Sequence, residues 1–195
     1  MKNNLLFSLL TFFLASGLLQ AQGLESRYGF RVGVNYSSIV SDNFDLIAAG
    51  LEISQDNIEE SRFGATAGFF AEYPLSELIS IQPELQYSTQ GNLNQELRLN
   101  YLQLPVFLKI NISEMFNIHL GPQAGLKAWE WERNEDYNTF EFSAIGGLGI
   151  NITDSFFADL RYSYGFTNIF EEIEGSPIQL EGNNTYIQFT IGYRL

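Results

Sequence analysis

Eight segments of this 195-residue chain alternate apolar and polar positions with period two, and in each the charges keep to one side. Phe156, Ala158, Leu160, Tyr162, Tyr164 and Phe166 share one face of such a segment, while Asp159, Arg161 and Ser163 share the other. Successive side chains on a strand point to opposite faces, so a segment of this kind divides an oily medium from a wet one. The pattern predicts strands near Tyr28–Ser38, Arg62–Tyr73, Ile79–Gln90, Leu99–Ile110, Phe116–Trp131, Phe140–Ile152, Phe156–Thr167 and Thr185–Leu195. No charged residue interrupts the apolar rows of seven segments, or that of the fifth from Phe116 to Ala128.

The connections alternate between long and short. Pro74–Leu78, Asn111–Glu114 and Thr153–Ser155 are compact links of turn-forming residues, whereas 39–61, 91–98, 132–139 and 168–184 are longer. That rhythm predicts an all-β fold, an eight-stranded antiparallel up-and-down transmembrane β-barrel with tight turns at one rim and loops at the other. Pro105 removes a ladder donor from a strand that has neighbours on both sides, so a bulge or local bend is expected there, and likewise at Pro83 and Pro122.

The alternation alone leaves two architectures. A secreted lipocalin-like carrier would turn the apolar rows onto a central ligand cavity, and an outer-membrane barrel would turn them onto lipid. Volume favours the second, because an eight-stranded barrel has little room for rows crowded with Phe, Tyr, Leu and Ile. Sign favours it too. The polar rows hold glycines and both charges, so Arg31, Glu72, Glu84, Lys109, His119, Asp159, Arg161 and Arg194 are expected to form a polar network in the lumen.

Residues 1–21 read as a cleavable signal peptide: Lys2 precedes an apolar run from Leu5 to Leu19, and Ala21 offers a small residue at the cleavage point. The barrel domain is then 22–195. Cysteine is absent, so neither a disulfide nor a thiolate metal site can support the fold. Ten basic residues face 23 acidic ones, and the acids crowd the long connections, as in Asp42, Asp45, Glu52, Asp56, Glu59 and Glu60. Nucleic acid is therefore not an expected partner. Such an acidic rim suits solubility, or divalent-cation bridges to anionic lipid headgroups.

Tyr101-Leu-Gln-Leu-Pro-Val-Phe-Leu-Lys109 in the fourth strand resembles the hallmark of the PorT-like, or porin family, outer-membrane β-barrel domain proteins of Bacteroidetes. Gly121-Pro-Gln-Ala-Gly125 and Asp159-Leu-Arg-Tyr-Ser-Tyr-Gly-Phe-Thr-Asn168 are similar to further parts of that family's pattern. The resemblance covers essentially the whole mature chain. It implies a barrel in the bacterial outer membrane without fixing one activity, and the link of PorT itself to protein secretion implies a secretion apparatus as one setting. Ile191-Gly-Tyr-Arg-Leu195 resembles the terminal aromatic strand read by the barrel-assembly machinery, with Leu in place of Phe.

Enzyme chemistry has little to stand on. His119 is the one histidine, no Gly-x-Ser-x-Gly motif accompanies it, and metal-ligand spacings and phosphate loops are absent, so no catalytic residue, cofactor or metal is expected. The expectation is a non-enzymatic barrel with acidic extracellular loops and a structural or interaction role in the cell envelope. Its expected partners are outer-membrane lipid, the barrel-assembly machinery during insertion and an extracellular or envelope protein. The alternatives are a narrow small-solute channel or a component of a protein secretion apparatus, with a soluble lipocalin-like carrier last.

Overall fold

The computed structural model describes residues 25–40, 61–91, 98–128, 138–168 and 182–195. The leader at 1–21 and most of the acidic connections lie outside these residues. Eight strands form a closed antiparallel barrel in chain order: β1 Arg27–Val40, β2 Arg62–Pro74, β3 Ile79–Gly91, β4 Arg98–Asn111, β5 Phe116–Lys127, β6 Phe140–Asn151, β7 Phe156–Gly165 and β8 Asn183–Arg194. Closure comes from β1 pairing with both β2 and β8, so no edge is left to recruit another chain. The expected strands fall on these with small differences at their ends. The largest is β5, which stops at Lys127 rather than Trp131.

The register runs one-to-one through all eight pairings, and no bulge occurs at a proline. Pairing of β3 with β4 lapses where Glu84 and Leu85 face Leu104 and Pro105, then resumes in the same register at Gln86 and Gln103. Similar gaps lie beside Pro83 and Pro122. The expected bulges are thus corrected: each proline removes a donor from the ladder, and the bonds on either side hold the alignment.

Followed strand by strand from Gly29 of β1, the register returns to β1 at Ile39, a ten-residue stagger. With about 3.3 Å per residue and about 4.8 Å between strands, that stagger sets a tilt of about 41° and a backbone radius of about 8 Å. Ten residues of strand then rise about 25 Å, the height of the apolar band of an outer-membrane barrel.

Orientation follows the alternation. Leu104, Leu160 and Phe189 are 53%, 52% and 47% exposed on the outer wall, while Arg161 and Lys109 are 1% and 5% exposed inside. This arrangement contradicts a lipocalin-like interior lined by the apolar rows. Aromatic rings gather at two heights of the wall. Near the turns Phe156 and Phe30 pack on Tyr193 at 4.9 and 5.7 Å, and near the loops Tyr36 packs on Phe63 at 4.9 Å. Rings with one wet and one oily end suit the two interfaces of a bilayer.

The three short turns repeat one device. The hydroxyl oxygens of Ser76, Ser113 and Thr153 accept hydrogen bonds from the backbone N–H groups of Ile79, Phe116 and Phe156, at 3.0, 3.0 and 2.9 Å. The carbonyls of those same three residues accept from Leu75, Ile112 and Ile152. The hydroxyl at this place supplies an acceptor that the backbone lacks, which explains Ser or Thr there in all three turns.

Candidate functional site

The strongest concentration of chemistry is inside the barrel, where strands on opposite sides of the ring reach each other. Arg161 of β7 donates from both terminal nitrogens to both oxygens of Glu84 on β3, each at 2.8 Å. Arg31 of β1 donates to the same carboxylate at 2.5 Å, to Asp159 of β7 and, at 2.9 Å, to the Thr190 hydroxyl of β8. Two guanidiniums and two carboxylates balance in charge, and the side chains of Arg31, Glu84 and Arg161 are 0% exposed. Buried charges are tolerable when each is paired and hydrogen-bonded, as these are.

His119 joins this layer from β5. Arg161 Nε donates to His119 Nε2 at 3.0 Å, so Nε2 is an acceptor and Nδ1 carries the proton, facing Asn117 Oδ1 at 3.2 Å. Both ring nitrogens are engaged, and no serine shares the arrangement. Toward the turns, Lys109 donates to Glu72 at 3.0 Å, and Arg194 donates to Asn151 Oδ1 at 2.7 Å and to the Asp154 carbonyl at 3.2 Å. Gln82 joins the two groups, accepting from Lys109 at 3.4 Å and donating to Glu84 at 2.6 Å. Arg194 Nε lies 3.9 Å from Glu72 Oε2, so all eight expected lumen residues are buried and lie in one connected set.

Sequence reading missed two features of this interior. The first is aromatic. Phe70, Phe107 and Phe157 point inward, and guanidiniums stack on them: Arg161 lies 4.3 Å from the centre of the Phe107 ring and Arg194 4.6 Å from that of Phe157. These stacks fill the lumen and stabilise the cations without further ionic partners. Their signal is parity, since Phe70, Phe107 and Phe157 fall in the polar phase of their strands.

The second is a layer of uncharged amides nearer the loops, where Gln86, Gln90, Gln103, Gln123, Gln188 and Asn184 are all buried. Tyr186 of β8 spans to Gln123 of β5 at 2.9 Å, and Asn184 of β8 to Gln90 of β3 at 2.6 Å.

Glycines make room for both layers. A Cβ on Gly147 would lie 2.9 Å from the Cα and from the Cγ of Arg161, and one on Gly192 would strike the Phe157 ring. Gly147→Val is accordingly expected to destabilise the barrel by about 1 to 3 kcal/mol through overpacking, read as a lower denaturant midpoint in refolded vesicles.

The layer can stiffen the barrel and block it. Among the described residues no group of three or more His, Cys, Asp or Glu side chains is placed to hold a metal. The acidic connections considered for divalent cations lie outside the described residues.

A solved structure of the same architecture and a family model match this chain. Neisserial surface protein A has a similar structure, with a TM-score of 0.59 and 9% identity over 88% of this chain and 100% of that one. Ail, the attachment invasion locus protein of Yersinia pestis, gives a TM-score of 0.49 and 14% identity over 88% and 100%. No curated protein matches the chain. The outer membrane protein β-barrel domain family matches residues 20–171. With that match over most of its length, an apolar outer wall and a charged, packed lumen, the chain belongs to the outer membrane protein β-barrel domain family and resides in the bacterial outer membrane.

Proposed function

We propose that the protein is a non-enzymatic, non-conducting scaffold of the outer membrane whose barrel presents acidic loops to the cell exterior for a structural or interaction role in the envelope. The observation that carries this reading is the ionic layer, in which Glu84 and Arg161 meet across the lumen from opposite strands with Arg31 and Asp159 beside them. An eight-stranded barrel has an interior just wide enough for side chains, and here they fill it.

The strand carrying Tyr101–Lys109 and the segment Gly121–Gly125 support a place among the PorT-like barrels of Bacteroidetes. The aromatic ending of β8 supports recognition by the barrel-assembly machinery, and the apolar wall supports contact with outer-membrane lipid. The engagement of both His119 nitrogens supports the absence of catalysis. His119→Ala is expected to leave the lipid A composition of the native membrane unchanged by mass spectrometry, and a lost acyl modification would reverse that assignment.

Planar-bilayer recording tests the reading as a whole. Purified protein refolded into a bilayer is expected to give no stable open steps. Long-lived, reproducible openings from the wild-type chain would replace the scaffold with a small-solute channel.

A further inference from the structure

The outer wall is not uniform. Along β2 the outward row reads Phe63, Ala65, Ala67, Phe69, so two short side chains in succession lie between two rings. Phe63 and Phe69 are 75% and 69% exposed. They stand about 20 Å apart along the strand. Between them the register brings Val32 of β1 and Tyr87 of β3 to either side of Ala67, with Leu102 of β4 beyond Tyr87. These residues border a groove of about 410 Å³. Arg31 borders it too, but its guanidinium is turned into the lumen.

The groove suits an apolar occupant. Apart from Tyr87 and the averted Arg31, every bordering side chain is apolar or absent. Thr89, two residues loopward of Tyr87, accepts from the Ala65 N–H at 2.7 Å and donates to the Ala65 carbonyl at 3.2 Å, so this hydroxyl is satisfied by the wall itself. The volume falls within the range of about 300 to 1,000 Å³ typical of small-molecule pockets.

Position and shape select the occupant. Leu102 lies two residues loopward of Leu104, midway along β4, and Ala67 lies four residues turnward of Phe63, which packs on Tyr36 near the loops. The groove thus runs from mid-height into the loop-side half of the hydrocarbon, the depth of outer-leaflet tails. A second barrel does not fit it: two convex walls would meet first at the protruding rings of Phe63 and Phe69, leaving the alanines out of reach. Lipid tails are as apolar as the wall, so no hydrophobic force draws two walls together against that obstacle. One flexible tail can lie between the rings and touch Val32, Ala67 and Tyr87 at once, whereas a tail on the bare wall has protein on one side only.

We propose that the groove over Ala65 and Ala67 is a binding site for one acyl chain of lipid A, the acylated glycolipid of the outer leaflet. The site deepens the contact with outer-membrane lipid stated above and takes from that reading the outward direction of the loops. Conductance plays no part in it, so open steps in a planar bilayer would replace the scaffold and leave the groove occupied.

Native mass spectrometry of the full chain, extracted from its own outer membrane in mild detergent, tests the site. A monomer carrying one lipid A molecule is expected. Ala67→Phe, which fills the groove with a ring, is expected to lose most of the bound lipid A, while Ala158→Phe, an equal addition to the outer wall of β7, keeps it. Val32→Phe narrows the groove from β1 and is expected to give the same loss, which decides the matter should Ala67→Phe not fold. Absence of bound lipid A from the wild type, its retention by Ala67→Phe and Val32→Phe, or equal loss from Ala158→Phe would overturn the proposal. So would phospholipid in place of lipid A, and a dimer abolished by Ala67→Phe would make the groove an interface between copies instead.

Discussion

Glu84→Leu is expected to destabilise the barrel by about 3 to 5 kcal/mol, the cost of leaving buried charges without their partner. The substitution removes the carboxylate on which Arg31 and Arg161 converge and leaves Asp159 to serve both guanidiniums. Reversible urea unfolding in lipid vesicles reads the loss, and the heat-shifted gel mobility of the folded barrel reports it at lower cost. Glu84→Leu combined with Arg161→Met is expected to recover part of the loss, because the pair is then removed together and the lumen keeps much of its apolar volume. A Glu84→Leu change below about 1 kcal/mol would show that the ionic layer contributes little to holding β3, β1 and β7 together.

Leu104→Arg is the second large effect, expected to cost about 2 to 4 kcal/mol. Leu104 lies midway along β4 on the outer wall, 53% exposed, where an arginine would meet hydrocarbon far from either interface. Tyr28→Arg, on the aromatic belt beside the turns, is expected to cost about 0 to 1 kcal/mol, because there the guanidinium can reach headgroups and water. Depth dependence is the signature. Equal costs at the two positions would mean that the wall does not cross a bilayer at the height its belts define.

Most of this barrel is legible in the sequence, for a physical reason. A wall one residue thick must place every side chain either in lipid or in the lumen, so each residue's parity in the sequence gives its side. Arg31, Glu84, Lys109, Asp159, Arg161 and Arg194 could therefore be placed inside from alternation alone. Their pairing was not legible, because the link between Glu84 and Arg161 crosses the barrel and depends on the ten-residue stagger, which no local pattern encodes.

The inward aromatics were missed because Phe70 and Phe157 stand next to outward Phe69 and Phe156, and an apolar doublet hides which member breaks phase. The prolines misled in a related way. The sequence shows the donor that Pro105 lacks, while the neighbouring ladder bonds that hold the register become visible only in three dimensions.

Site-directed spin labelling tests the central claim most directly, and the absence of cysteine makes single-cysteine variants simple to build. Labels at Leu104, Leu160 and Phe189, with the protein in lipid vesicles, are expected to collide freely with oxygen, which concentrates in hydrocarbon, and rarely with a water-soluble nickel chelate. Labels at the adjacent positions Gln103, Arg161 and Gln188 are expected to be shielded from oxygen. Should Leu104, Leu160 and Phe189 prove shielded while Gln103, Arg161 and Gln188 meet the outer medium, the apolar rows would line the interior and the membrane barrel would be contradicted.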